Sequence, residues 1–263
     1  MTIHVFLGPS LPVEEARRLL EAAYHPPARA GDVLRLVASK PEAIAIIDGY
    51  FEQAPSVRHK EILFALSRGI SVFGSASMGA LRAAELAAFG MRGIGEVFSL
   101  YERGILEDDD EVAVNHGPED TRYRNVSEAM VNLRHGLGRA LSERIISSET
   151  HDVLVKRAKE RFYGDRSWAA VFSDACAHVP LPVPESELAA LRRFVDREQP
   201  NLKRDDAILL LRHLASVRGR IGRHEPTFEF HVTTHWRELV ARVLEAEADT
   251  DASRNAHQGA RGA

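Results

Sequence analysis

The chain has 263 residues, 44% of them hydrophobic and 27% charged, with a formal net charge of −4. That length and balance suit one large domain, or one domain with a smaller appendage, built on a sizeable core. The slightly acidic total gives no global field for nucleic acid or an anionic membrane, and no run approaches the ~20 apolar residues a bilayer span needs.

Residues 3–7 (IHVFL) predict a strand, stopped by Gly8-Pro9-Ser10. Pro12-Val13-Glu14-Glu15 then opens a helix to about Ala23, with proline and acids in its first turn. Residues 33–37 (VLRLV) read as a weaker strand and 43–47 (AIAII) as a strong one, unalternating as in a strand covered on both faces. A helix over about 56–68 ends at Gly69, and 70–73 (ISVF) make the next strand. Strands alternating with helices predict a parallel sheet, Rossmann-like or flavodoxin-like, in the N-terminal half. Ligands bind beyond the carboxyl ends of such strands, which draws together the turns Gly8–Ser10, Asp48–Tyr50 and Gly74–Gly79.

From about residue 120 the pattern turns helical. Residues 125–145, 149–162, 185–197 and 204–217 carry helical spacing, and Pro180, Pro182 and Pro184 mark a linker. Residues 226–234 (PTFEFHVTT) read as a late strand and 235–246 as a last helix. The division expected is an α/β core over 1–120, a helical region over 121–246 packed on it, and a disordered tail over 247–263 without an apolar stripe. The one cysteine, Cys176, lies in an apolar stretch and reads as buried and structural; a lone thiol fits a reducing cytoplasm. The start, MTIHVFLGPS, has neither the basic region nor the apolar run of a targeting segment.

The turn SVFGSASMGALRAAEL concentrates the chemistry. Ser75-Ala76-Ser77-Met78-Gly79 gives small residues two before and two after Ser77, as a nucleophile elbow between strand and helix requires. Ser77 would then stand at a helix N-terminus whose N–H groups can hold an oxyanion. The competing readings are close packing with Ser77 as an N-cap, and a phosphate cradle; GSASMGAL lacks the glycine and lysine spacing for the latter. His59 falls on the face of its helix shared with Ile62, Leu63 and Leu66, toward the sheet, which makes it a candidate base or a core histidine. Asp48 ends a buried strand and either orients a histidine or caps its turn, and Glu61 is a rival orienter. Residues 107–111 are consecutive acids leading into VAV and His116, a second candidate base. They lack the alternation of a calcium loop and read as a solvated acidic loop before a short strand. No metal or cofactor is required by these patterns.

The run IIDGYFEQAPSVRHKEILFAL, then VFGSASMGALRAAEL, then GMRGIGEVFSLYERGILEDDDEVAVNHG, resembles the core of the TfuA-like family over about residues 3–135. TfuA-like proteins accompany YcaO enzymes, which use ATP to thioamidate peptide backbones in ribosomally made natural products and in the glycine of methyl-coenzyme M reductase. The resemblance implies a role in supplying the sulfur, by hydrolysing a thiocarboxylated ThiS-like carrier protein to release sulfide. Combined with the elbow, this gives a mechanism in which Ser77, deprotonated by His59 and oriented through Asp48, attacks the thiocarboxylate carbon. The N–H of Met78 and one from the Gly8–Ser10 turn would hold the oxyanion, with Ser75 in the turn and Arg82 at the carrier's anionic terminus. The alternative is a non-catalytic adaptor that binds and activates the YcaO enzyme or docks the carrier.

Overall fold

A computed structural model describes residues 2–177 and 183–245. Its N-terminal part is a five-stranded, all-parallel sheet: β1 (Ile3–Phe6), β2 (Ala23–His25), β3 (Ala43–Ile46), β4 (Ser71–Ser75) and β5 (Arg92–Ile94), in the order β2-β1-β3-β4-β5. The register pairs Val5 with Ala45 and Ala45 with Phe73, so β1, β3 and β4 form the centre. Every residue of β3 and β4 is buried, which explains why neither strand alternates.

Two apolar layers enclose the sheet. On one face α1 (Val13–Leu19) lies beside a helix from the far end of the chain, α10 (Leu202–Val217), whose Ala207, Leu210, Leu211 and Leu214 pack against Val5 and Phe73. On the other, α2 (Asp32–Val37), α3 (His59–Ser67) and α4 (Met78–Leu86) supply Val33, Ile62, Leu66 and Ala83 over Ile44, Ile46 and Val72. Short α5 (Glu96–Glu102) follows β5. Four more helices, α6 (Met130–Ser142), α7 (Ser148–Glu160), α8 (Trp168–Ala177) and α9 (Glu185–Glu198), form a separate apolar cluster around Leu133, Leu137, Leu191 and Phe194. A helix over 234–245 packs Trp236 and Leu239 onto Phe64 and Leu34. The predicted helical stretches thus become α6, α7, α9, α10 and this last helix.

Three strand expectations need correction. Residues 33–37 are helical, as α2: Gly31 turns the chain with φ +95°, the buried Glu61 takes the Gly31 N–H at 2.8 Å, and Val33, Leu36 and Val37 form a helical face on the second layer. The edge strand is instead Ala23–His25, because α1 stops at Leu19. Residues 112–114 form no strand; a 3-10 turn at Asp109–Glu111 leads into an irregular segment that buries Val112 and Ala113. Residues 226–233 are irregular as well, since their alternating Phe228 and Phe230 pack on Phe89, Phe64 and Trp236 without a partner strand. Pro180, Pro182, the Cys176 side chain and the tail over 247–263 lie outside the described residues.

Candidate functional site

The three turns singled out by the parallel-sheet rule do converge. The order β2-β1-β3 reverses direction between β1 and β3, and the crevice beyond that point is where such sheets take ligands. Here Asp48 fills it. Its carboxylate is 1% exposed and accepts the N–H of Gly8 at 2.9 Å, the N–H of Ser10 at 3.0 Å and the Ser10 hydroxyl at 2.6 Å. The expectation that the Gly8–Ser10 turn lends an N–H to an oxyanion is therefore corrected: Gly8 and Ser10 donate to Asp48, and the remaining residue is a proline. Asp48 binds the turn and makes no bond to a histidine, so it caps and does not orient.

The strand-to-helix turn after β4 is as tight as its glycines imply. A Cβ on Gly79 would stand 1.7 Å from the Ile46 carbonyl oxygen, and one on Gly74 would stand 2.0 Å from the Gly79 carbonyl oxygen. The Ser77 N–H bonds the Ser75 carbonyl at 2.7 Å across Ala76, a γ-turn that puts Ala76 at φ +64°. The strained position of the elbow is thus Ala76, and Ser77, at φ −121°, is the N-cap residue of α4. Its hydroxyl makes no cap bond and has no hydrogen-bond partner among the described residues. The Met78 N–H likewise finds no acceptor among them. Ser75 is used structurally: its hydroxyl donates to the carbonyls of Ile94 and Asp206, tying β4 to β5 and α10.

Ser77 opens on a cavity of about 20 Å³, room for one water, walled by Pro9, Gly49, Tyr50, Asn115, His116 and Tyr163 among others. The second candidate base is therefore the one that shares a cavity with the serine. His116 Nδ1–H donates to the Gly117 carbonyl at 2.8 Å, and its ring lies 5.7 Å from those of Tyr50 and Tyr123. A carbonyl can only accept, so this bond leaves Nε2 as the basic nitrogen. Asn115, beside it, has no bond to its side-chain amide among the described residues; its N–H is held by the Ser127 hydroxyl.

His59 is elsewhere. It begins α3, its side chain is 47% exposed rather than turned to the sheet, and Nε2 lies 2.7 Å from Glu85, two turns along α4 from Ser77. Arg82 donates to the same Glu85 carboxylate at 2.6 Å and to the Val57 carbonyl. Burial would raise the Glu85 carboxyl, but the bonds from His59 and Arg82 hold it below its ordinary range. Glu61, the rival orienter, is fully buried and accepts the N–H groups of Gly31, Leu34 and Arg58; burial raises it.

A larger cleft of about 870 Å³ adjoins the small cavity through Phe51, Glu52 and Tyr163, and runs along Met78, Leu81 and Arg82. The acids 107–110 form part of its wall, and three of the run 107–111 are paired rather than merely solvated. Lys159 bonds Asp108, Asp110 and Glu111; Arg166, 1% exposed, holds Asp110; Arg134 grips Glu111 at 2.9 Å through two nitrogens. Among the described residues no group of three or more His, Cys, Asp or Glu is placed to hold a metal.

Sequence reasoning placed Tyr50 at the end of a converging turn without giving it a role, and missed Tyr163 in the site. Tyr163 donates to Glu52 at 2.7 Å, and burial pushes its hydroxyl up to about 12; it lies in the helical half, which no strand periodicity ties to the sheet. Asn115 was adjacent to a named candidate, and its unpaired amide is visible only in three dimensions.

The fold and this site define a parallel α/β protein that presents a serine at the N-terminus of a sheet-packed helix. The family model described as TfuA-like protein matches residues 48–167, a span that begins at Asp48 and takes in Ser77, the acidic segment, His116 and Tyr163. The match supports the assignment of this chain as TfuA-like. No curated protein matches it. Among the described residues no helix is long and apolar enough to cross a membrane.

Proposed function

We propose that this TfuA-like chain supplies sulfide for YcaO-dependent thioamidation of a peptide backbone, by hydrolysing the thiocarboxylated C-terminus of a small ThiS-like carrier. One observation carries the reading: the unbonded Ser77 hydroxyl and the His116 imidazole wall the same cavity, at a helix N-terminus with a free Met78 N–H. Ser77 Oγ adds to the thiocarboxylate carbon while His116 Nε2 takes its proton. The Met78 N–H and the helix dipole stabilise the oxyanion. The C–S bond then breaks, releasing hydrosulfide and leaving a serine ester. Water, activated by His116, cleaves that ester to a carboxylate and restores Ser77. The net reaction consumes one water and yields one carboxylate, one hydrosulfide and one proton.

The narrowness of the cavity suits this substrate. The adjoining cleft gives a slim, extended chain terminus a path along α4 to the wall of this cavity, which widens beyond its one-water volume to admit the thiocarboxylate. The His116 ring is oriented by a backbone carbonyl, a role that the triad scheme would have assigned to Asp48. No metal or organic cofactor enters these steps, and the chemistry belongs to a reducing cytoplasm.

The test incubates thiocarboxylated carrier with the wild-type chain, Ser77→Ala and His116→Gln, and follows sulfide. Release by wild type that both substitutions abolish is the expected result. Undiminished release by Ser77→Ala removes the serine from the mechanism. No release by wild type, together with stimulation of a YcaO enzyme supplied with free sulfide, establishes the adaptor reading instead.

A further inference from the structure

A second cavity lies on the same end of the sheet, beyond the carboxyl ends of β1 and β2. It measures about 410 Å³, inside the range of small-molecule sites, and shares Tyr50 with the Ser77 cavity. Flat groups dominate its lining: Phe6, His25, Pro26, Pro27, Tyr50 and Tyr123. Three independent features show how the fold shapes it. Gly8 leaves room for two of the walls, since a Cβ there would stand 2.5 Å from Pro27 Cγ and 3.3 Å from Tyr123 Cγ. Arg122 and Tyr123 both adopt φ +55°, a left-handed conformation rarely taken by a bulky residue and one that collects at ligand clamps. The Tyr123 ring stands edge-on to that of His116 at 5.7 Å, and its hydroxyl is pushed up to about 12 by burial and by the nearby Glu119 carboxylate.

Charge surrounds the flat walls. The Arg29 side chain is 63% exposed at the rim, with its Nε 3.8 Å from Asp32, a carboxylate that also lines the cavity and is paired more closely with Arg35 at 2.8 Å. Glu119 also lines the cavity and forms no ion pair among the described residues. A ring system laid against the surface that Tyr123 and Pro27 form together, an exocyclic amine toward Glu119 and an anion at Arg29 together describe one ligand class. We propose that this cavity binds a nucleotide, with its base against Tyr123 and Pro27 and its phosphate at Arg29. The site is distinct from the cavity of Ser77 and stands whether or not Ser77 is a nucleophile.

The experiment is calorimetric titration of the full-length chain with AMP, ATP, GMP and CMP, and with adenosine. At least one nucleotide is expected to bind more tightly than about 1 mM, the weak end of specific recognition. Tyr123→Leu should weaken that binding by roughly 5- to 150-fold, the range for one base–aromatic stack. Arg29→Gln should weaken the nucleotide and leave the nucleoside unchanged. Arg29→Gln alters an exposed side chain and keeps the test valid should Tyr123→Leu fail to fold. Absence of heat and of saturable binding for every nucleotide overturns the proposal, as does binding indifferent to Arg29→Gln.

Discussion

Asp48 holds Ser10 twice, through its N–H and through its hydroxyl, and this clasp closes the crevice between β1 and β3. Both partners are almost fully buried, and Lys203, fully buried on α10, donates to the Val112 carbonyl and feels the Asp48 charge. Burial lowers the Lys203 ammonium while Asp48 and Glu128 support it. Removing Asp48 therefore strands three donors and weakens the support of a buried cation.

Asp48→Ala should cost on the order of 3 kcal/mol, because each lost charge-assisted bond leaves a buried group unsatisfied. Asp48→Asn retains an acceptor for part of the set and should cost less than half as much. Urea denaturation reads both as a lowered midpoint with an unchanged slope.

The two candidate bases separate cleanly by experiment. His116→Gln should lower sulfide release by about 100-fold or more, the usual worth of a general base, whereas His59→Gln should change it less than about twofold. A large loss with His59→Gln alone would mean that α3 moves over the site on carrier binding.

Gly79→Ala tests the elbow itself. The added methyl meets the Ile46 carbonyl oxygen at 1.7 Å, and that oxygen belongs to the central strand, so relief requires a backbone shift. A loss of more than about 4 kcal/mol is expected, in the exceptional tail of single substitutions. A thermal melt, or failure to accumulate as soluble protein, reads it directly.

Asp206 gives the pH dependence of stability a definite sign. Its carboxylate accepts the N–H groups of Glu96 and Val97 at the start of α5, but burial outweighs these bonds and raises its pKa from 3.8 to about 6. The folded chain thus holds this proton more tightly than the unfolded chain does. The contribution is fully present below about pH 4 and is lost as pH rises through 6, amounting to roughly 3 kcal/mol. Asp206→Asn should flatten this part of the stability curve, read as the difference between the two proteins in urea titrations from pH 4 to pH 7.

Local pattern was enough to determine the parallel α/β class, the strands at 3–7, 43–47 and 70–73, and most helices of the second half, because buried strands and amphipathic helices write their period directly into the chain. It also located the turn of Ser77, since Gly74 and Gly79 mark where backbone meets backbone. Tertiary structure alone decided the rest. VLRLV became α2 because Glu61, far along the chain, captures the Gly31 N–H at its start. His59 faced solvent because Glu85 and Arg82 on α4 offered it charged partners. Asp48 became a clasp, His116 became the neighbour of Ser77, and Tyr163 joined them from the helical half. Periodicity reports which face of an element is buried, but which side chains meet across elements depends on long-range packing that no local spacing encodes.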